Sequence, residues 1–184
     1  TIFPLGFKDY IVTENAIDIS DQDGGIAFAN WKVKGMFEPD AISYFENNGT
    51  QYVVTANEGD QREYTGFNEV KRIGTSSVLL DATAFPNAVT LKTNAQMGRL
   101  NITTTLGDTD GDGDLDELYS YGSRSFSIWN GTTGQLVFDS KNDLDKRAQT
   151  LTTYDDGRSD DKGSEPEAVI TGKMGTKNIL FVGL

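Results

Sequence analysis

The stretches EPDAISYFENNGTQYVVTAN, residues 38–57, and EPEAVITGKMGTKNILFVGL, residues 165–184, carry one pattern twice. Each opens Glu-Pro-acid-Ala followed by Ile or Val, passes a Gly-Thr turn and ends in an apolar run. Repeated strand–turn–strand units imply a radial or stacked β architecture, in which each unit buries its faces against its neighbours. The second copy runs to Leu184, where a sheet would be left with an unpaired edge. The expectation is therefore one β fragment over residues 1–184, cut at its C-terminal end and open to truncation at its N-terminal end.

Working outward, the chain reads mostly as short strands. YIVT (10–13), AISYF (41–45), QYVVTA (51–56), SSVLLD (76–81) and RLNITTT (99–105) are β-branched or aromatic runs bounded by Gly, Asn or Asp. Further runs are DELYSYG (116–122), SFSIWN (125–130), GQLVFDS (134–140), EAVITG (167–172) and NILFVGL (178–184). SIWNGTTGQLVF is the clearest hairpin, two alternating runs about a Gly-containing turn. Two helical excursions are predicted: 87–98, with Asn87 as N-cap and Gly98 as stop, and 140–151, capped by Ser140. Segment 154–166 is polar and Gly-rich, hence a loop, and no linker divides the chain into two domains.

Composition narrows the chemistry. With 28 Asp+Glu against 16 Lys+Arg the net charge is −12, which argues against nucleic acid or an anionic membrane as partner. No apolar run reaches membrane-span length. The absence of Cys and His removes disulfides, thiolate sites, the usual neutral-pH general base and the commonest zinc ligand. A metal held here must be held by oxygen, which points to calcium or magnesium. Three sequons, at Asn48, Asn101 and Asn130, favour a secreted glycoprotein.

The stretch GDTDGDGDLDELYS, residues 107–120, concentrates that chemistry. Asp108, Asp110, Asp112, Gly113 and Asp116 fit D-x-D-x-D-G-x-x-D. Alternate carboxylates in a tight loop point to one side, the glycine permits the sharp turn, and Asp114 supplies a backbone carbonyl. Tyr119 stands where an EF-hand needs its bidentate Glu, and the run around it, ELYSYG, is strand-like rather than helical. The loop is instead similar to the calcium loops set between strands in integrin-type propellers. Without an ion its carboxylates would repel one another. The expected ion is Ca²⁺ in a structural role, against the plain alternative of a solvated acidic turn.

Other acidic clusters are weaker. Asp18, Asp21 and Asp23 precede a double Gly and offer either a second ion site or a plain turn. Asp155, Asp156, Asp160, Asp161, Glu165 and Glu167 are interleaved with Arg158 and Lys162, as in a solvated surface with internal ion pairs. Asn57, Glu58, Asp60 and Arg62 come directly after an apolar strand, either as a site on a rigid scaffold or as a polar turn.

Taken in order, FPLGFKDY, DQDGGI, EPDAISYF, YVVTANEGDQREY, GRLNITTTLGDTDGDGDLDELYSYGSRSFSIW, LVFDS and RSDDKGSEPEAV make the chain resemble the choice-of-anchor I proteins nearly end to end. That family is related to mesenchyme-specific cell-surface glycoproteins of skeleton-forming cells, and some bacterial members carry an atypical alkaline phosphatase label. The resemblance implies a secreted or surface-anchored β-propeller longer than this chain. The fold expected is thus all-β, a partial β-propeller of about two to three blades with short helical excursions.

Two functions are compatible with these readings. The first is a calcium-binding extracellular or cell-surface glycoprotein with a structural, adhesion, matrix or biomineral role, meeting calcium ions, other extracellular or matrix components, or itself. The second is a metal-dependent phosphoesterase. There Glu38 and Glu165 would occupy equivalent blade positions facing one axial pocket, with Asn57, Glu58, Arg62 and Arg158 contacting metal or phosphate. Against an enzyme, no Ser, Thr or Asp stands in a recognisable nucleophile motif.

Overall fold

The computed structural model describes residues 2–184. The chain is all-β, with strands β1 (Phe7–Asp9), β2 (Lys34–Met36), β3 (Ala41–Asn47), β4 (Thr50–Asn57), β5 (Glu63–Tyr64), β6 (Phe67–Asn68) and β7 (Val70–Arg72) in its first part. Then come β8 (Asn101–Thr103), β9 (Tyr119–Ser120), β10 (Ser125–Asn130), β11 (Leu136–Asp139), β12 (Ala168–Met174) and β13 (Lys177–Gly183). Two short helices, α1 (Ala88–Leu91) and α2 (Asp143–Thr150), interrupt them.

Both repeats fold as hairpins with two-residue loops. β3 pairs β4 from Ala41↔Ala56 to Asn47↔Thr50, and β12 pairs β13 from Ala168↔Gly183 to Met174↔Lys177. Such loops match the twist of the strands only with positive φ, which Asn48 (φ 50), Gly49 (φ 78) and Gly175 (φ 63) supply. β3–β4 continues through β10 and β11 into a four-stranded antiparallel sheet, order β11-β10-β4-β3. The second hairpin lies against β3.

Between β4 and β10 the chain makes a long excursion. With the N-terminal strands it builds a five-stranded sheet, order β1-β2-β9-β8-β7, in which β2 and β9 run parallel. The main apolar core belongs to this layer: Tyr10, Ile17, Ile19, Val33, Ile73, Phe85, Met97, Leu100, Ile102 and Leu118 are buried together. The excursion returns beside its start. A Cβ on Gly122 would sit 1.8 Å from the Glu58 carbonyl oxygen, and one on Gly59 would sit 2.1 Å from the Gly122 amide, so the two backbones touch only because both are glycine. Among the described residues the sheets stay open and no ring of blades closes.

Four local expectations fail, each through tertiary context. The first two are strands. YIVT is a turn entering a 3₁₀ turn at Thr13–Asn15, because Tyr10 is drawn into the core and Asn30 Nδ2 donates to the carbonyls of Tyr10 and Val12. SSVLLD is irregular, pairing only through the Leu80↔Leu115 bridge while Val78 packs in the core. The other two are helical. The helix over 87–98 shrinks to α1 plus a 3₁₀ turn at Met97–Arg99, and Asn87 makes no side-chain cap. Ser140 does not cap α2 either: its hydroxyl accepts from the Phe126 amide, and Asn142 takes the cap position.

Candidate metal centre

The acidic turn hangs between β8 and β9. Gly107 closes its neck by accepting from the amides of Asp116 and Glu117 at 2.9 and 3.1 Å. Inside, Asp108 folds the loop on itself: its Oδ1 accepts from Gly111 N at 2.6 Å and its Oδ2 from Gly113 N at 3.1 Å. Asp110 and Asp112 accept from the amides two residues on, at 3.3 and 3.1 Å. Gly111 and Gly113 hold φ of 83° and 99°, which lets successive carboxylates gather on one side.

Two carboxylate triads result, and Asp116 belongs to both. One oxygen each from Asp108, Asp110 and Asp116 lie within 4.8 Å of one another, as do oxygens from Asp81, Asp114 and Asp116. Asp112 falls outside both triads. Asp81 has no place in the sequence motif; it arrives because Leu80 bridges Leu115 and the Asp81 amide donates to the Leu115 carbonyl at 3.0 Å. Asp114 Oδ1 is buried without a hydrogen-bond partner. Desolvation, then Asp112, Asp81, Asp116 and Asp110, raise the Asp114 carboxyl above its ordinary range. Asp116 moves the other way, held down first by the Thr109 hydroxyl and then by its amide, which donate at 2.7 and 2.8 Å. Oxygen donors alone, a shared carboxylate and an orphaned buried oxygen fit a hard divalent cation.

The residues expected around an axial pocket are each engaged locally. Arg62 forms a bidentate pair with Glu69, Nε to Oε1 at 2.9 Å and Nη2 to Oε2 at 2.5 Å. That pair, the largest influence on Glu69, holds its carboxyl down at about 2. Glu58 pairs with Lys162 at 2.7 Å, and Arg158 pairs with Glu165, its Nε donating at 2.6 Å. Glu38 accepts from the Gly122 amide at 3.1 Å, yet burial pushes its carboxyl up to about 7. Asn57, fully buried, donates to Ser127 Oγ at 2.8 Å and leaves its Oδ1 unpartnered. Glu38, Arg62 and Glu69 are near enough to influence one another electrostatically, whereas Arg158 and Glu165 line a separate surface cleft with Asp155 and Ser164.

Sequence reasoning missed a buried polar spine along GSRSFS. Arg124, 2% exposed, donates to the carbonyls of Asp18, Ser159 and Asp161 at 2.6, 2.7 and 3.0 Å. Asp139 Oδ2 accepts from Ser125 and Ser127, and buried Lys8 pairs with Asp139 Oδ1 at 2.9 Å. The alternation of Ser with aromatic residues in this segment reads equally as one wet face of a strand, so the sequence offered no signal of it. Of the sequons, Asn48 is exposed at a hairpin tip, Asn101 is part-buried within β8, and Asn130 accepts from the amides of Thr132 and Thr133.

No helix is long and apolar enough to cross a membrane among the described residues. No solved structure matches the chain. Gigasin-3a of Magallana gigas is 34% identical over 105 residues, a match covering 49% of this chain and 37% of that relative. The chain therefore covers well under half of its relative's length. The family model of the choice-of-anchor I domain matches residues 1–184, and this chain belongs to that family.

Proposed function

We propose that this chain is a calcium-stabilised β module of an extracellular or cell-surface protein, serving a structural, adhesive or matrix role. The observation that carries the reading is the sharing of Asp116 between two carboxylate triads, one of which contains the unpartnered Asp114 oxygen. A divalent cation at that turn would hold the β8–β9 connection to the segment around Asp81 and offset the repulsion among the five aspartates between residues 108 and 116. Membership of a choice-of-anchor family and the exposed sequon at Asn48 support an extracellular setting. The four-stranded sheet with the second repeat laid against β3 supports the blade reading, about two to three blades of a larger propeller. The phosphoesterase reading draws less support, because Arg62, Arg158, Glu58 and Glu165 neutralise neighbouring side chains of this chain.

Calorimetric titration with Ca²⁺ tests the proposal, alongside melting in calcium and in chelator. Loss of the ion held by the 108–116 turn on Asp116→Asn, read as a lower calcium stoichiometry, and a higher melting temperature in calcium are the expected results. A melting temperature indifferent to both calcium and chelator would overturn the reading.

A further inference from the structure

In sequence, Asp18, Asp21 and Asp23 form one acidic group, and Asp155 and Asp156 belong to another far along the chain. The fold sorts them differently. Asp21 leaves its group for Arg99, whose Nε and Nη2 donate to its two oxygens at 2.8 and 2.9 Å. Asp155 accepts from the Gly157 amide at 2.9 Å and so caps the 3₁₀ turn at Asp156–Arg158. Asp18, Asp23 and Asp156 are left, and they converge, one oxygen of each lying within 4.8 Å of the other two.

Hydrogen bonding does not account for this meeting. Asp18 is 0% exposed; its Oδ2 accepts from Ser159 Oγ at 2.8 Å, while its Oδ1 has no partner. Asp23 Oδ1 and Asp156 Oδ1 are likewise buried and unpartnered. The nearby guanidinium of Arg124 is committed to backbone carbonyls, among them those of Asp18 and Ser159. Among the described residues none of the ion pairs involves these three carboxylates. A fully buried carboxylate with a bare oxygen, clustered with two more carboxylates that each keep a bare oxygen, lacks a counter-charge that a cation would supply.

We propose that Asp18, Asp23 and Asp156 form a second divalent-cation site, of the oxygen-ligated calcium class, that fastens the turn before Gly24 to the loop leading into β12. It differs from the 108–116 turn in kind. There the ligands are mostly near neighbours in one loop; here the ion joins segments from opposite ends of the chain. Its consequence is that calcium sets the position of the second repeat's approach as well as the shape of one turn.

The test pairs Asp23→Asn/Asp156→Asn with Asp116→Asn, measuring bound Ca²⁺ by calorimetry and melting in calcium and in EGTA. The double variant is expected to bind one ion fewer than the unaltered protein and to gain less in melting temperature from calcium. In EGTA it should melt no lower than the unaltered protein, because the substitutions relieve repulsion. An unchanged ion count, or an equal loss of melting temperature in both buffers, would overturn the site, and so would a double variant unfolded in EGTA. Asp116→Asn gives a readout that needs no change at the new site. With the 108–116 turn disabled, calcium should still slow amide exchange at residues 20–25 and 156–159, and unaltered exchange there would refute the proposal while leaving the first site standing.

Discussion

Ser43 and Thr171 tie the two repeats together, one step out of register. Ser43 is the sixth residue of the first repeat and Thr171 the seventh of the second, counting from Glu38 and Glu165. Their hydroxyls lie 3.0 Å apart, the Thr171 amide donates to Ser43 Oγ at 3.2 Å, and Thr171 Oγ1 donates to the Tyr44 carbonyl at 2.6 Å. Since the Thr171 proton goes to Tyr44, the Ser43 hydroxyl donates to Thr171 and accepts its amide in return. Asn178 repeats the arrangement on the Glu46 carbonyl at 3.4 Å. Polar side chains on one hairpin thus satisfy backbone carbonyls of β3, a sheet edge that would otherwise lie open.

Thr171→Val keeps the shape and removes the relay. It should destabilise the chain by about 1 kcal/mol, the usual net worth of a hydrogen bond plus the exposure of its partners. A cycle of Ser43→Ala, Thr171→Val and the pair, read by urea unfolding, should give a coupling clearly above zero. Additive losses would mean that the hairpin is held by apolar contact alone.

Glu38 predicts a pH dependence. Its carboxyl titrates near 7 in the folded chain and near 4.5 when unfolded, because burial disfavours the anion. The folded state therefore binds the proton more tightly between those values, so stability is present below about 4.5 and is lost as pH rises through 7. The part-buried site and the Gly122 amide temper the effect to on the order of 1–2 kcal/mol. Glu38→Gln stays neutral and should flatten the fall in urea midpoint between pH 5 and pH 8. A slope unchanged by the substitution would place the titrating group elsewhere.

What the sequence disclosed, it disclosed through local chemistry. Asn48-Gly49 and Gly175-Thr176 encode their own turns, so both hairpins are legible, and the alternation of SFSIWN gives β10 its ends at Ser125 and Asn130. The D-x-D-x-D-G spacing likewise marks the acidic turn from residues that stand side by side. What stayed hidden depends on distant partners. Asp81 reaches Asp114 only through a bridge at Leu80, and Asp156 reaches Asp18 only because Ser159 bonds it. Asp112, one of the alternate carboxylates of the motif, lies outside both triads, which the spacing alone does not reveal. A polar residue also reads as surface until the fold buries it, as with Arg124, Ser125 and Asn57.

Asp81 separates two ways of holding an ion at the turn. If the loop alone coordinates, as its spacing implies, Asp81→Asn leaves calcium affinity unchanged. The shared triad with Asp114 and Asp116 instead predicts a loss of at least about tenfold, or ~1.4 kcal/mol, measured by calorimetry. Asp112→Asn should cost less than Asp81→Asn, an order opposite to that of the motif.

Arg124 carries the heaviest structural prediction. Its backbone holds φ 52°, and its guanidinium serves carbonyls from two separated segments, at Asp18 and at Ser159 and Asp161. Lysine has the charge but no planar fork to reach them together. Arg124→Lys should cost about 2–4 kcal/mol, because buried carbonyls lose their donors and an ammonium is left in a dry site. Arg124→Met removes the charge as well and should cost a similar amount, since the carbonyls remain unsatisfied. Urea unfolding of both variants checks the argument. A methionine variant as stable as the parent would show that the carbonyls find water, and that the spine is dispensable to the joint between the N-terminal turn and the 154–166 loop.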